Sequence, residues 1–229
     1  MGAFRGWFSV ACCALVSVAP MGCQQRYSEF TTHHDDGRVK PVVALLQVRD
    51  RSGDQVGWDL SRELSHEIRR RLLETGDLYI VKEDGMPSME NISLFGPDMT
   101  WSKAYRPSEF VVALELVEHK RELYDGSQTA RTALDTRETV GGAGYLVNCK
   151  VRVRVIDVRG ADPRLAYQEI VQLQHRAPSN EARVDYMNVA YGSWSFNHSA
   201  LATAHNKLVE AVVQRLDHYV LLEKANAPR

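Results

Sequence analysis

Between residues 145 and 155 the chain reads Y-L-V-N-C-K-V-R-V-R-V. Val147, Cys149, Val151, Val153 and Val155 alternate with Asn148, Lys150, Arg152 and Arg154. A period of two sustained this long specifies a strand with one face in a core and the other face polar. Cys149, in phase with the valines, reads as a small core hydrophobe, not a nucleophile. The strand extends over 145–158, and Gly160-Ala161-Asp162-Pro163 is a turn leading to a partner strand over 164–175. A chain built around this hairpin needs more strands beside it and something apolar over the valine face.

The rest of the chain supplies both. P-V-V-A-L-L-Q-V, opened by Pro41, reads as a buried strand, and the loop R-D-R-S-G-D follows it. Leu60, Leu64, Ile68 and Leu72 then recur every fourth residue, with Arg62, Glu63, Arg69 and Arg70 between them. That is an amphipathic helix, stopped near Thr75 by Gly76. L-Y-I-V-K over 78–82 is a second strand, 83–108 is irregular, and F-V-V-A-L-E-L-V-E-H over 110–119 is a strong strand. A polar loop spans 120–140. Ser199 caps a last helix with Leu201, Leu208, Val212, Leu216 and Tyr219 on one face, running to about Glu223. The expected class is α/β (α+β): one mixed sheet, order β-α-β-β-β-β-α, with two main helices on one face. The other face is then open, and the basic stripe Lys150, Arg152 and Arg154 faces solvent or a partner.

The first stretch carries an address. One charge, Arg5, precedes the apolar or small run from Gly6 to Ala19, a length that suits an export signal and is short for a membrane span. Gly22 and Cys23 close A-P-M-G-C, and polar sequence follows. A small residue and then Cys after such a run resembles a bacterial lipoprotein signal, although Pro20 stands where that pattern carries Leu. The resemblance implies cleavage before Cys23 and a thioether-linked lipid, palmitate included, on its sulfur. Gln24 at the next position implies the outer membrane. An ordinary secretory signal is the alternative. The expected organisation is a signal over 1–22, a lipid-anchored flexible tether over 23–40, one domain over 41–223 and a tail over 224–229. His33-His34-Asp35-Asp36 belongs to that tether and reads as solvated.

Of four cysteines, Cys12 and Cys13 lie in the signal and Cys23 takes lipid, so Cys149 alone remains and no internal disulfide forms. The net charge of −1 offers no long-range attraction for nucleic acid. G-G-A-G over 141–144 leads into a strand and lacks a following helix N-terminus for a phosphate. His66-Glu67 has no second histidine at metalloprotease spacing, and there is no nucleophile elbow. His66, His119, His175, His198, His205 and His218 are scattered, and surface or capping roles are expected for His198 and His205. Neither catalytic residues nor a metal or other cofactor are expected. Tyr186, Tyr191, Trp194 and Phe196 gather in a polar loop; they pack on the chain's own sheet or meet a partner.

P-V-V-A-L-L-Q-V-R-D-R-S-G-D, the following helix, and G-D-L-Y-I-V-K-E-D together resemble a group of bacterial periplasmic lipoproteins. These are the curli-secretion and penicillin-binding-protein-activator types, which share the fold of the Tol–Pal propeller protein's N-terminal domain. V-R-V-R-V-I-D-V-R-G with A-Y-Q-E resembles their hairpin, and N-H-S-A-L-A-T-A-H-N-K-L their closing helix. The resemblance implies a non-enzymatic, lipid-anchored module on the periplasmic face of the outer membrane. It would bind an envelope protein in envelope assembly or peptidoglycan synthesis. The expected contacts are Tyr186, Tyr191, Trp194, Phe196, Lys150, Arg152 and Arg154, and an oligomer is possible. The alternative reading is a subunit of an oligomeric curli-type secretion channel.

Overall fold

The structure, a computed structural model, describes residues 31–82, 92–124, 144–178 and 186–226. The signal, Cys23, Gly141, Gly142 and Ala143, most of the polar loop and the last three residues lie outside the described residues. Six strands form one mixed sheet: β1 (Val42–Leu45), β2 (Arg49–Asp50), β3 (Tyr79–Ile80), β4 (Phe110–Tyr124), β5 (Gly144–Asp157) and β6 (Arg164–Pro178). The order is β3-β1-β4-β5-β6, with β2 also paired to β4. β1 runs parallel to β3 and β4, whereas β4, β5 and β6 are antiparallel. The expected first strand is broken after Leu45, and Arg49–Asp50 rejoins β4 where a loop was expected.

Both main helices cover one face, as expected. Helix α1 (Leu60–Thr75) starts at Asp59, whose carboxylate accepts from the Arg62 N–H, and ends at Gly76 with φ of 73°. That left-handed conformation is open to glycine without steric cost. It buries Leu60, Leu64, Ile68 and Leu72. Helix α2 is a single turn, Trp194–Asn197. Helix α3 (Ala200–Ala225) is capped by the Ser199 hydroxyl, which accepts from the Ala202 N–H. Leu201, Leu208, Val212 and Leu216 of α3 meet Val147, Cys149, Val151, Val153 and Val155 of β5 in one core. Each such buried side chain contributes roughly 1.5–3 kcal/mol of transfer free energy. Among the described residues no helix is long and apolar enough to cross a membrane.

Two expectations are corrected. The sheet is not open on its far side. Leu94 and Tyr105, with Ile92, Phe95, Met99 and Trp101 against them, pack on Ala44, Leu46, Val111, Ala113, Ile156 and Val158. This cover comes from the stretch before β4, which includes a 3-10 helix at Thr100–Tyr105. The end of the expected flexible tether is also folded. Residues 32–40 make a small hairpin in which Lys40 N–H donates to Thr32 C=O at 2.9 Å and His33 bridges Val39.

One irregularity places the site. Along β4, Phe110, Val112, Leu114 and Leu116 face the helices. A bulge between Leu116 and Glu118 then inserts an extra residue, so that Glu118 opposes Lys150 and His119 opposes Cys149. One inserted residue exchanges the two faces of every residue beyond it. His119 therefore turns into the core instead of out of it.

Candidate functional site: a buried histidine–cysteine centre

Four elements converge where β4 passes its bulge. His119 on β4 and His205 on α3 are 1% and 3% exposed, and their Nε2 atoms lie 2.9 Å apart. The rings meet edge to face, with centroids 5.1 Å apart. Each ring is held from behind by a carboxylate. His119 Nδ1 bonds Asp54 Oδ2 at 2.6 Å, and His205 Nδ1 bonds Glu63 Oε1 at 2.6 Å. Cys149, the cross-strand neighbour of His119, completes the group: its Sγ and the two histidines' ligand atoms all lie within 4.8 Å of one another. The thiol is buried and free.

Local sequence explains each position. Ser52-Gly53-Asp54 is a tight turn: Gly53 has φ of 71°, Asp50 accepts from the Ser52 N–H at 2.8 Å, and Asp54 N–H donates to Ser52 Oγ at 3.3 Å. The turn aims Asp54 at β4. Gly57 then comes so close to the 186–187 backbone that a Cβ there would lie 2.5 Å from Met187 C=O. Its N–H donates to Tyr186 C=O at 3.1 Å. Glu63 stands in the first turn of α1, and its second oxygen accepts from Trp58 Nε1 at 2.6 Å. Trp58 meets Phe196 edge to face at 5.1 Å, and Phe196 meets Tyr191 at 5.1 Å. Phe196 in turn lies 6.2 Å from the His205 ring, so these aromatics roof the centre.

Burial works to raise the Asp54 pKa, but the hydrogen bond and charge of His119, with Arg121 beyond, outweigh it and leave it below the usual carboxylate value. Burial lowers the His119 pKa, against the pull of Asp54 and with a further push from His205. Burial, with the charges of Glu63 and Asp54 behind it, pushes the Cys149 thiol up to about 12. On its own the thiol is therefore inert as a nucleophile. Beside the centre a cleft of about 160 Å³ is lined by Glu63, Glu67, Tyr191, Asn197 and His205 among others. Tyr191 Oη donates to Glu67 at 2.8 Å across it.

The residues singled out from sequence fall into different places. Phe196 and Tyr186 are buried, 4% and 8% exposed, while Tyr191 is 37% and Trp194 74% exposed. Tyr186 lies under the Arg121 guanidinium at 5.3 Å, and Trp194 stacks on His198 at 4.4 Å. Lys150 pairs with Glu118 at 2.8 Å and Arg152 with Glu115 at 3.0 Å. Arg154 is only 6% exposed, which corrects its place in a solvent-facing stripe. It donates to the carbonyls of Leu94 at 3.0 Å, Phe95 at 3.1 Å and Gly96 at 2.7 Å, and to Gln168 Oε1 at 2.7 Å. His205, expected at the surface or in a cap, is buried. Cys149 sits in the core as expected, but beside two imidazoles.

Comparison with other proteins places the chain in a family. Residues 29–224 match the family described as "Family of unknown function (DUF7499)", and the chain belongs to it. Among curated proteins none matches it in sequence. The hypothetical protein CT253 from Chlamydia trachomatis has a similar structure, with a TM-score of 0.60 and 27% identity. That match covers 80% of this chain and 98% of the other. Protein XCC0632 from Xanthomonas campestris is 7% identical with a TM-score of 0.45, covering 82% of this chain and 88% of the other. The lipoprotein GNA1162 from Neisseria meningitidis is 14% identical with a TM-score of 0.38, covering 78% and 99%.

Proposed function

We propose that this family member is a lipid-anchored envelope protein of the bacterial outer membrane. It faces the periplasm, and its α/β domain docks another envelope protein without itself catalysing a reaction. The address rests on the apolar run ending at Gly22-Cys23 and the polar stretch after it. Several acyl chains on one cysteine make anchoring stable where a single chain is marginal. The docking role rests on one observation. Trp194 is 74% exposed yet stacked on His198, whose Nδ1 bonds the Trp194 carbonyl at 2.9 Å. A large aromatic displayed at fixed geometry loses little freedom on binding, as interface anchors do. Tyr191, 37% exposed, lies against Phe196 of the same turn. The basic residues do not: Lys150 and Arg152 are neutralised by the chain's own glutamates, and Arg154 is spent on its own backbone.

The test takes the full-length protein from membranes in mild detergent. Wild type is expected in the detergent fraction as a small species that co-purifies with a partner. Trp194→Ser is expected to lose the partner with folding unchanged. Cys23→Ala is expected to move the protein to the aqueous fraction. A defined ring-sized oligomer overturns the docking reading in favour of a secretion channel, and wild type in the aqueous fraction overturns the address.

A further inference from the structure

The sharpest unexplained feature is the meeting of His119 and His205. Asp54 and Glu63 have only acceptors to offer, so each holds the proton on the Nδ1 it faces. Both Nε2 atoms are then lone-pair donors, and they point at each other at 2.9 Å in a dry core. Two lone pairs at that distance repel unless something electrophilic lies between them. A shared proton satisfies the two nitrogens but gives Cys149 no role. A metal ion satisfies all three.

We propose that His119, His205 and Cys149 form a binding site for a thiophilic dication, zinc in the first instance, with Asp54 and Glu63 as its outer carboxylates. The donor set, two imidazoles and one thiol, is the type that borderline and soft transition metals select over calcium and magnesium. Metal–nitrogen bonds of about 2.0–2.1 Å and metal–sulfur bonds of about 2.3 Å bring donors to within roughly 4 Å of each other. The separations here, all within 4.8 Å, are a side-chain adjustment away from that. The carboxylates fit independently. A metal-bound histidine regularly donates its other ring nitrogen to a carboxylate, which fixes the tautomer and strengthens the ligand. Both histidines have this arrangement at 2.6 Å, and Glu63 is itself anchored by Trp58. On binding, the sulfur forms its bond to the metal and its proton leaves to solvent. The cleft lined by Glu63, Glu67 and His205 reaches the His205 side of the centre and is the route by which the ion would enter and that proton leave.

Zinc and cobalt(II) are the probes, titrated into the full-length protein after chelation. Wild type is expected to take up one equivalent of zinc and to gain thermal stability with it. Cobalt is expected to give the intense near-ultraviolet band of thiolate-to-metal charge transfer. Cys149→Ser, a change of one atom, should abolish that band and weaken zinc binding. Glu63→Gln should weaken zinc affinity about 10–100-fold while keeping the band. His119→Ala and His205→Ala should lose binding, and their circular dichroism separates this from misfolding. Folded wild type that takes up neither ion, or a cobalt band that survives Cys149→Ser, overturns the site. The first of these results leaves the shared proton as what joins the two rings. None of these readouts depends on the docking partner.

Discussion

On one face of the β4–β5 ladder, Glu115 and Glu118 meet Arg152 and Lys150 across neighbouring strands. On the other face, Asp54, His119, His205 and Glu63 form a buried chain drawn from a loop, a strand and two helices. The first arrangement is local. Each charge finds its partner one strand away, water reaches the pair, and losing one member costs little. The second is global. His119, His205 and Glu63 are buried and each depends on the next, while Asp54 at the end of the chain is 21% exposed and also meets Arg121 at 3.7 Å. The lesson is that charge near a sheet is inexpensive where pairing is cross-strand and wet. It is kept in a core only where several elements converge to satisfy it.

The largest expected effect is on the buried chain. Glu63→Ala removes the acceptor for both His205 Nδ1 and Trp58 Nε1. Each buried donor left without its acceptor costs about 1–3 kcal/mol, so the two together cost roughly 2–6 kcal/mol, read as a fall in the urea midpoint. A loss under about 1 kcal/mol would make the chain no different from the exposed ladder. Arg154 comes next, because it lies on the ladder's outer face yet is buried. Arg154→Ala leaves the carbonyls of Leu94, Phe95 and Gly96 without their donor. At about 1–3 kcal/mol for stranded buried groups, the expected loss is intermediate, with faster amide exchange confined to the cover over 92–105. Unchanged exchange there would show that the cover is held by its apolar contacts alone.

Asp217 on α3 shows what a carboxylate does on the helix side without a cation. Burial raises its pKa to about 6, with Asp77 adding to the rise and Thr75 opposing it. The folded state thus holds this proton more tightly than the unfolded chain does. Stability is highest below the ordinary value near 3.8 and is lost as pH rises through about 6. Asp217→Asn imitates the protonated acid. It is expected to raise the melting temperature at pH 7.5, by on the order of 1 kcal/mol after allowing for partial exposure. The gain should shrink toward zero at about pH 4. A gain independent of pH would assign the effect to packing.

Much of the fold was legible because its signals are periodic. The alternation through Val147 to Val155 placed Cys149 on the core face, and the four-residue spacing of Leu60 to Leu72 placed α1. The buried centre was not legible, for separable reasons. His119 follows a run whose even-numbered residues face inward, so strict alternation sends it outward; the bulge at Leu116/Glu118 reverses that. Glu63 and His205 occupy inward positions of helices, three residues after Leu60 and four after Leu201, but their polarity argues for the surface. The spacing of His205 between Leu201 and Leu208 was the available signal. For Asp54, the signal was the S-G-D turn. Arg154 was placed on the correct face, but its cover over 92–105 is irregular and carries no period to read.

The smallest effect closes the comparison at its exposed end. Lys150 and Glu118 are 31% and 23% exposed and paired at 2.8 Å, close in geometry to the buried pairs. If distance alone set the energy, Lys150→Ala would cost as much as Glu63→Ala. Solvent instead screens the pair in place, and Glu118 released from Lys150 can be hydrated. The expected loss is about 0.2–1 kcal/mol, falling further in high salt because screening weakens what remains. Glu118 is held below its usual pKa chiefly by this hydrogen bond, so that stabilisation is present above the ordinary carboxylate range and disappears on acidification. Denaturation of wild type and Lys150→Ala at low and high salt, at pH 7 and again at pH 3, measures all of this. A loss above about 2 kcal/mol that salt leaves unchanged would mean that this face is as dry as the other, and the contrast between them would collapse.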